Sequence, residues 1–425
     1  MSSIQKRDRH EADCFIWNSI GGTLNAGQSV LILMVITRTA GLAAAGVFSI
    51  AYATGNLFLY FGEYGVRNYQ VSDIHEQHSF RDYLVQRIST IALMMLMAIV
   101  YCIFTLVTGR YSPEKAATVF AMCLLKAIDC FEEVYQGRLH QRGRLDLAGK
   151  WMTLRILVSL AGMIFGLVTT GSLLVSIWIA FFLALGVTVF MIIRTRDTVH
   201  LTKVFHGAPG VLSLYRACFP VCAVNVLYFY LTNAPKYAID AVMDEAVQAQ
   251  YNFIAMPVFV VLLLSQFLYQ PVLVKMTTTW QSGQKKAYLT LFLKIIGAIL
   301  LASAVCLVGA CFLGIPVLSV LYATDLSALK EDLMWILVGG MFLGLNGFYN
   351  AVLTLMRCQR WIPAVYLAGT ILSLILTRRM VSLDGIRGAV LSYVLIMVLI
   401  FVLLSLVFAV MYRRGWKKES KAAAC

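Results

Sequence analysis

Apolar stretches of about 20 residues alternate with short charged segments along almost the whole of this 425-residue chain. A helix needs roughly 20 apolar residues to cross the hydrocarbon core of a bilayer, and each stretch is close to that length. The pattern predicts an all-α polytopic membrane protein with about twelve transmembrane helices, near 15–37, 42–60, 88–107, 116–135, 151–170, 173–193, 214–232, 250–272, 287–309, 333–355, 362–378 and 388–411.

The composition agrees with a lipid environment. Hydrophobic residues make up 60% of the chain and charged residues 13%, and the mean hydropathy is +0.79. An ordinary soluble protein has about half apolar and a quarter charged residues. The tails and connectors are too short for a separate soluble domain. The ten cysteines are scattered singly without C-x-x-C spacing, which indicates neither a disulfide framework nor a cysteine metal site.

The distribution of Lys and Arg predicts the orientation of the helices. If the N-terminus is cytoplasmic, 24 of the 35 basic residues fall in cytoplasmic segments and eight in segments on the other side. The positive-inside rule therefore predicts that both termini are cytoplasmic. The net charge of +14 then reflects topology and attraction to anionic membrane lipids, so we predict no nucleic-acid partner.

The chain is predicted to divide into two halves of six helices. The polar connector 194–216 lies near the midpoint and separates an N-terminal lobe, 1–200, from a C-terminal lobe, 201–412, and a basic cytoplasmic tail, 413–425, follows. Because each half contains an even number of helices, the halves would be parallel repeats about an axis along the membrane normal. A substrate path would then run between them.

Corresponding positions of the two halves carry similar residues. Helix 1 contains Asn25 and ends at Arg38, and helix 7 contains Asn225 and ends near Lys236. The two cations lie at outer helix ends, against the positive-inside bias, where they could snorkel to the interface or contact a substrate. All four residues are candidates for substrate binding.

The fourth helix carries charged residues at membrane depth. Lys126, Asp129, Glu132 and Glu133 interrupt its apolar sequence, and a charge at the bilayer centre costs about 2.5 to 3.5 kcal/mol. Two interpretations stay open. Either Lys126 and Asp129 neutralise each other while the two glutamates reach the cytoplasmic interface, or Lys126 contacts substrate and the carboxylates couple transport to an ion. For ion coupling, Asp129 is the first candidate and Glu133 the second, and Glu132 is a further candidate.

Two further groups have structural interpretations. Arg155 and Lys294 lie within two turns of cytoplasmic helix ends, so we expect both to snorkel to the interface. Gly339, Gly340 and Gly344 in the tenth helix are spaced for the close approach of a neighbouring helix.

No sequence pattern predicts catalysis. The chain has no G-x-x-x-x-G-K-[ST] phosphate loop, no G-x-G-x-x-G after a strand and no G-x-S-x-G nucleophile elbow. All six histidines fall in cytoplasmic segments, which places none of them to bind a metal or carry protons at membrane depth. We therefore predict that the protein is not an enzyme, with no catalytic or metal site and no cofactor.

Two motifs carry a family resemblance. Residues 37–73 contain T-R-T-A-G-L-A-A-A-G-V-F-S-I-A-Y-A followed by F-G-E-Y-G-V-R-N-Y-Q-V-S-D, and residues 233–240 read N-A-P-K-Y-A-I-D. They resemble polysaccharide and O-antigen flippases of the Wzx type, in the multidrug/oligosaccharidyl-lipid/polysaccharide exporter superfamily. In that pattern Arg38 is the basic residue of R-x-x-G, Lys236 that of N-A-P-K-Y, and Arg67 the basic residue after helix 2.

The resemblance implies both an architecture and a cargo. Two six-helix lobes would form a V-shaped bundle around a cavity. The cargo would be an undecaprenyl-pyrophosphate-linked oligosaccharide, moved outward across the bacterial cytoplasmic (inner) membrane by alternating access with proton or sodium coupling. Membrane lipids and polysaccharide assembly enzymes would be its partners. The chain departs from some lipid flippases because it lacks a cluster of arginines deep in helices 1, 2 and 8.

Three alternatives to the flippase stay open. A cation or drug antiporter of the same superfamily would place carboxylates in its cavity. A polytopic enzyme of cell-surface polysaccharide assembly would need a long outer loop or a deep histidine, and the sequence has neither. A scaffold for glycosyltransferases would have no evident use for the charges of the fourth helix.

Overall fold

The computed structural model describes the backbone of residues 3–73, 76–199 and 205–422, and the side chains of residues 10–73, 76–199 and 205–413. Within these ranges helices are the regular structure and no strand occurs. The α-helices are α1 Ser3–Thr39, α2 Gly41–Glu63, α3 Val66–Ser72, α4 Phe80–Val107, α5 Pro113–Gln141, α6 Leu145–Thr170, α7 Leu173–Val199, α8 Gly207–Val242, α9 Glu245–Ala255, α10 Val258–Tyr269, α11 Leu273–Gln281, α12 Lys285–Gly309, α13 Ile315–Tyr322, α14 Lys330–Leu355 and α15 Ile362–Ala422.

These helices account for the twelve predicted membrane spans. Ten stretches of the described chain are long and apolar enough to cross a bilayer. One of them, Gln359–Arg413, contains both the eleventh and the twelfth predicted helices. The remaining span is α5, which has 29 residues and is less apolar than the others because of its charges. The prediction of an all-α polytopic protein with twelve helices is confirmed.

A glycine separates the last two spans. Gly385 has φ 58° and ψ −131°, so α15 consists of two helices joined at a bend without a loop. Residues with a Cβ rarely adopt such a conformation, whereas glycine does so at little cost. Three residues later, a Cβ added at Gly388 would collide with the carbonyl group of Met380.

The chain forms two compact units, Met1–Val226 and Leu227–Cys425. This division falls inside α8, later than the connector 194–216 that suggested a boundary after residue 200. The first part of α8 packs against α4, where the Tyr215 and Ser89 hydroxyl oxygens are 2.7 Å apart. Just before α8, the His206 ring contacts the Asp82 carboxylate at 2.6 Å.

Helix α4 begins earlier than the hydropathy pattern predicted. Its N-terminus is a capping box, in which the Ser79 hydroxyl accepts a hydrogen bond from the Asp82 N–H and the Asp82 carboxylate accepts one from the Ser79 N–H. The helix therefore starts at Phe80 instead of residue 88. As a consequence, Arg87 lies in the second turn of a helix and not in a cytoplasmic connector.

Helix α14 packs closely against its neighbours in the second unit. A Cβ added at Gly339 would lie 2.5 Å from the Tyr393 ring, and one at Gly340 would lie 3.0 Å from Val258. A Cβ at Gly344 would collide with the side chain of Ser265. The predicted close approach at these glycines is confirmed, since larger residues would force the helices apart.

Candidate functional site

Buried charges cluster around the middle of α5 in the first unit. Lys126 lies about 20 Å from either end of this helix at 1.5 Å per residue. Its ammonium group is 3.0 Å from Asp129 Oδ2 and 4.6 Å from the centre of the Tyr52 ring. The second oxygen of Asp129 is 2.6 Å from Nη1 of Arg155, which α6 supplies. Asp129 therefore lies between two cations on different helices.

Arg155 also neutralises the next carboxylate of α5. Its Nε donates a hydrogen bond to Oε2 of Glu132, and Gln136 Nε2 donates to Oε1 of the same carboxylate at 2.5 Å. Glu132 is fully buried and Arg155 is 6% exposed. The expectation that Arg155 snorkels to the interface is therefore wrong, because two carboxylates in the bundle interior hold its guanidinium. The related Lys294 is exposed, as expected.

Glu132 and Glu133 do not extend together to the cytoplasmic interface. Glu133 turns to a different helix, where Oε2 is 2.7 Å from Nη2 of Arg87. Arg87 is fully buried, and its Nη1 donates to the Gly62 carbonyl oxygen at 2.7 Å and to Cys130 Sγ at 3.2 Å. Position 87 falls in the predicted connector before the third span, and that placement is wrong because Arg87 is buried within α4. This arginine, in the second turn of α4, links the end of α2 to the interior of α5 by polar contacts.

A further carboxylate, Glu63, is the last residue of α2 and directly follows Gly62, whose carbonyl oxygen binds this arginine. Its side chain is partly buried. Residue 63 falls in the predicted connector after helix 2, and no sequence pattern predicts a role for it. The sequence did contain a signal for this residue. Glu63 is the glutamate of the motif F-G-E-Y-G, which directly follows the apolar stretch of helix 2.

A small cavity lies beside the Lys126, Asp129 and Arg155 group. Its volume is about 30 Å³, which is room for about one water molecule. Gln28 of α1 and Ser159 of α6 also line it. The Ser159 hydroxyl is buried and has no hydrogen-bond partner in the described part of the chain, so a water in this cavity would have polar groups to bind.

The other candidate residues lie outside this network. Arg38 is exposed in the last turn of α1, next to Gly41, whose φ of 87° allows the break before α2. Asn25 is exposed in α1 and accepts a hydrogen bond from Gln28 at 3.0 Å. Asn225 and Lys236 are partly buried in α8. The structure thus brings Lys126, Asp129 and Glu132 into one group through Arg155, whereas Glu133 pairs with Arg87. Neither group of ion pairs includes the other four candidates.

Lys236 differs from the buried cations of the first unit. Its side chain makes no hydrogen bond or ion pair with any residue whose side chain the structure describes. A partly buried ammonium group in a membrane helix is costly unless an anion or water reaches it. The position is therefore suited to an external anionic group.

One group of side chains has the composition of a metal site. Ligand atoms of His10, Cys14 and Asp146 all lie within 4.8 Å of one another. However, the Arg144 guanidinium binds both oxygens of Asp146, at 2.9 and 3.2 Å, and the His10 ring is 2.9 Å from the Gly143 carbonyl oxygen. A metal ion would have to displace these contacts, so the group is better described as ion-paired. His75 and His200 lie outside the described residues.

Comparisons with known proteins find similarity at the level of structure. No protein family matches the sequence, and no curated protein matches it. The inward closed conformation of the lipid II flippase MurJ superimposes with a TM-score of 0.69 at 14% identity, covering 92% of this chain and 86% of that one. An inward-facing multidrug resistance MATE family transporter of the MOP superfamily gives 0.63 at 13% identity, covering 92% and 96%.

A third similar structure is a MOP superfamily transporter from Pyrococcus furiosus, described as having a binding pocket of reverse polarity that suggests a different function. Its TM-score is 0.56 at 13% identity, with 96% of this chain and 95% of that chain covered. At these identities the likeness establishes the fold. The chain is a multi-pass membrane protein with the twelve-helix fold of these transporters.

Proposed function

We propose that this protein is a flippase that moves a lipid-linked oligosaccharide, carried on undecaprenyl pyrophosphate, outward across the bacterial inner membrane by alternating access. The observation that carries the proposal is the fold, which it shares with a lipid II flippase over 92% of its length. A diphosphate cannot cross about 30 Å of hydrocarbon unaided, whereas a protein with basic, hydrated surfaces lowers that cost. No covalent bond needs to form or break.

Arg38 and Lys236 are the proposed contacts for phosphate or sugar, with Asn25 and Asn225 as nearby polar contacts. Arg38 is exposed, and Lys236 is partly buried without a hydrogen-bond or ion-pair partner among the residues whose side chains the structure describes. Lys126 is a weaker candidate for direct contact because Asp129 already holds its ammonium group. It could reach cargo only if that ion pair opened.

The proposal is tested with purified protein in liposomes that contain a fluorescent undecaprenyl-pyrophosphate oligosaccharide. We expect Lys236→Ala and Arg38→Ala each to slow flipping about tenfold or more, because a hydrogen bond to a charged group contributes about 1.5–3 kcal/mol. Lys330→Ala and Arg110→Ala, which remove exposed cations, are the matched controls. Absence of flipping by the wild-type protein would refute the proposal.

The coupling residues are proposed to lie among Asp129, Glu133 and Glu132. If Asp129 takes part, Asp129→Asn should abolish the dependence of flipping on an imposed ion gradient while the folded protein remains monodisperse. Unchanged gradient dependence would remove Asp129 from the mechanism.

A cation or drug antiporter is the second candidate function. The ion-paired network contains three carboxylates of α5, Asp129, Glu132 and Glu133, which suit a protein that exchanges cations. One of the similar structures is a multidrug resistance MATE transporter. Efflux of a cationic dye from cells that overproduce the protein, together with absent lipid flipping, would favour this candidate.

A further inference from the structure

A pocket of about 660 Å³ lies on the side of the first unit that is predicted to be cytoplasmic. Tyr69 of α3 and the connector between α3 and α4 form one wall, and the first three turns of α8 form the other. Ligand pockets in proteins commonly measure about 300–1,000 Å³. This pocket therefore has room for a small organic molecule or a lipid headgroup, and not only for a single ion.

The polar side chains that line the pocket can all donate hydrogen bonds, and none of them is acidic. They are, in chain order, Tyr69, Gln77, His78, Ser213 and Arg216. Arg216 is exposed, and it makes no hydrogen bond or ion pair with any residue whose side chain the structure describes. Its guanidinium is a planar set of N–H donors that matches the oxygens of a phosphate. The lining is therefore suited to a phosphate ester.

His78 connects the two walls of the pocket. Its Nε2 is 2.6 Å from the Ser213 hydroxyl oxygen, and its backbone N–H donates a hydrogen bond to Asp73 Oδ2 at 3.0 Å. The imidazole ring also packs edge-on against the Tyr69 and Tyr83 rings, with centroids 5.7 and 5.9 Å away. These contacts form the pocket before a ligand arrives, which reduces the entropy that binding costs.

The carboxylates near the pocket already have partners. Asp73 accepts hydrogen bonds from two backbone N–H groups of its own connector and from a tyrosine hydroxyl. Glu76 is ion-paired at 2.9 Å with an arginine of α5, and Asp82 Oδ2 is 2.6 Å from the His206 ring. None of these three carboxylates forms an ion pair with Arg216. The positive charge of the pocket is therefore available to an external anion.

The apolar part of the lining places the pocket at the membrane surface. Pro209, Leu212 and Ala217 supply it, and all three belong to α8. Leu212 is 48% exposed, and Phe219, two turns further along the helix, is 60% exposed. The seventh predicted span begins between them, so this part of α8 crosses from the headgroup region into hydrocarbon. Basic pockets at this depth on the cytoplasmic side attract the headgroups of anionic lipids.

We propose that this pocket binds the headgroup of an anionic phospholipid from the leaflet that faces it, which is predicted to be the cytoplasmic one. Arg216 contacts the phosphate oxygens, and the apolar wall of α8 contacts the glycerol and the first carbons of the acyl chains. The lipid is a bound ligand and not a cargo, so the inference goes beyond the proposed flippase function. No covalent bond forms or breaks.

The test is isothermal titration calorimetry with the full chain purified in an uncharged detergent and no cargo present. Short-chain phosphatidylglycerol is the probe, and phosphatidylcholine of the same chain length presents a phosphate without net charge. We expect phosphatidylglycerol to bind more tightly. Arg216→Gln removes the guanidinium, and Ala217→Glu adds a carboxylate at an exposed position of the lining. Each should weaken binding about tenfold, because one loses a charge-assisted hydrogen bond and the other brings like charges together.

Arg194→Gln is the matched control. It removes one positive charge at an exposed arginine of α7 that lies outside the lining, so the net charge changes as much as in the other two variants. Binding by this variant should equal that of wild type. Circular dichroism and size-exclusion profiles check that each variant is folded.

Equal binding of the two lipids would overturn the assignment, and so would unchanged binding in Arg216→Gln and Ala217→Glu. Glycerol 3-phosphate that binds as tightly as phosphatidylglycerol would identify the ligand as a soluble phosphate ester instead of a lipid. Displacement of phosphatidylglycerol by an undecaprenyl-pyrophosphate oligosaccharide would assign the pocket to cargo and overturn the bound lipid. Because the titration does not measure flipping, selective lipid binding by a protein that flips nothing would refute only the flippase.

Discussion

Arg155 binds two carboxylates of α5 from a neighbouring helix, and this contact explains how a helix with four charges remains buried. Asp129 and Glu132 both depend on the same guanidinium. The spacing of Lys126 and Asp129 within one helix made their ion pair one of the two interpretations open from the sequence, and the structure contains that pair. The contribution of Arg155 could not be predicted in this way, because it depends on how α6 rotates against α5.

The first prediction concerns this arginine. Arg155→Met should lower the free energy of unfolding by about 3–5 kcal/mol, because two buried carboxylates lose their common partner. Thermal unfolding in detergent micelles measures the change. Arg110→Met, at an exposed arginine, should have little effect, and Arg155→Met combined with Glu132→Gln should recover part of the loss. Equal melting temperatures for Arg155→Met and wild type would contradict the prediction.

The second prediction concerns Asp73, in the connector between α3 and α4. Burial alone would raise the pKa of Asp73, but hydrogen bonds from the His78 and Gln77 N–H groups and from the Tyr83 hydroxyl outweigh burial and hold that pKa below its usual value. The ionised form therefore stabilises the fold above about pH 3.9, the ordinary aspartate pKa, and this contribution is lost as pH falls through the lower folded-state value.

Asp73→Asn should thus melt at a lower temperature than wild type at pH 7, and the difference should shrink as the pH falls below about 4. Melting curves recorded across that pH range give the comparison. Asp197→Asn, at a carboxylate that is 92% exposed, is the control and should show no such trend. A difference that is constant with pH would argue against a stabilising role for the Asp73 charge.

At the scale of helices, the backbones of α1 and α6 come into close contact at Gly149. A Cβ added at Gly149 would lie 2.5 Å from the Trp17 carbonyl carbon and 2.7 Å from the Asn18 nitrogen. Backbone atoms cannot rotate away as side chains do, so the helices would have to separate. The hydropathy pattern predicts that both helices exist. It does not predict this contact, because the contact depends on which faces of the two helices pack together.

The third prediction follows from that contact. Gly149→Ala should lower the free energy of unfolding by about 1–3 kcal/mol, the usual range for overpacking. Gly186→Ala is a matched control in α7, where a Cβ would meet no atom within 4 Å, and it should leave stability unchanged or raise it by about 0.5–1 kcal/mol. Thermal unfolding of the two variants side by side tests both expectations. Equal melting temperatures would contradict the proposed contact.

Helix ends were predicted less well than helices, and α4 shows the reason. Hydropathy starts this helix at residue 88, because Arg81, Asp82 and Arg87 interrupt the apolar pattern before it. The capping sequence Ser79-x-x-Asp82 marks the true start. Charged residues that are neutralised inside the bundle look like connector residues when neighbouring helices are unknown.

At the scale of the whole molecule, the number of spans was predictable because lipid forces each span to be a helix of about 20 apolar residues. The candidate site was only partly predictable. The α5 charges were found from their position within an apolar stretch, but Arg87 and Arg155 are contributed by other helices. Their pairing with α5 arises from packing, which a hydropathy pattern does not contain.

The fourth prediction concerns topology. Positive-inside counting places the connector between α4 and α5 outside and the connector between α5 and α6 in the cytoplasm. A single cysteine introduced at Arg110, in a background without native cysteines, should react with a membrane-impermeant maleimide in intact cells. A cysteine introduced at Arg142 should react only after the cells are opened. The reverse pattern would require the orientation to be inverted.

The ion pairs of α5 also have a consequence for biosynthesis. Each charged residue near the middle of a helix adds about 2.5–3.5 kcal/mol to the free energy of moving that helix from the translocon into lipid. Arg87 is made before α5, but Arg155 is made after it. We therefore expect α5 to insert inefficiently into the membrane when the nascent chain ends before α6. We expect efficient insertion of α5 when the chain includes α6. Helices α4, α5 and α6 would then insert into the membrane as a group. Insertion of α5 would become stable only after α6 has been synthesised.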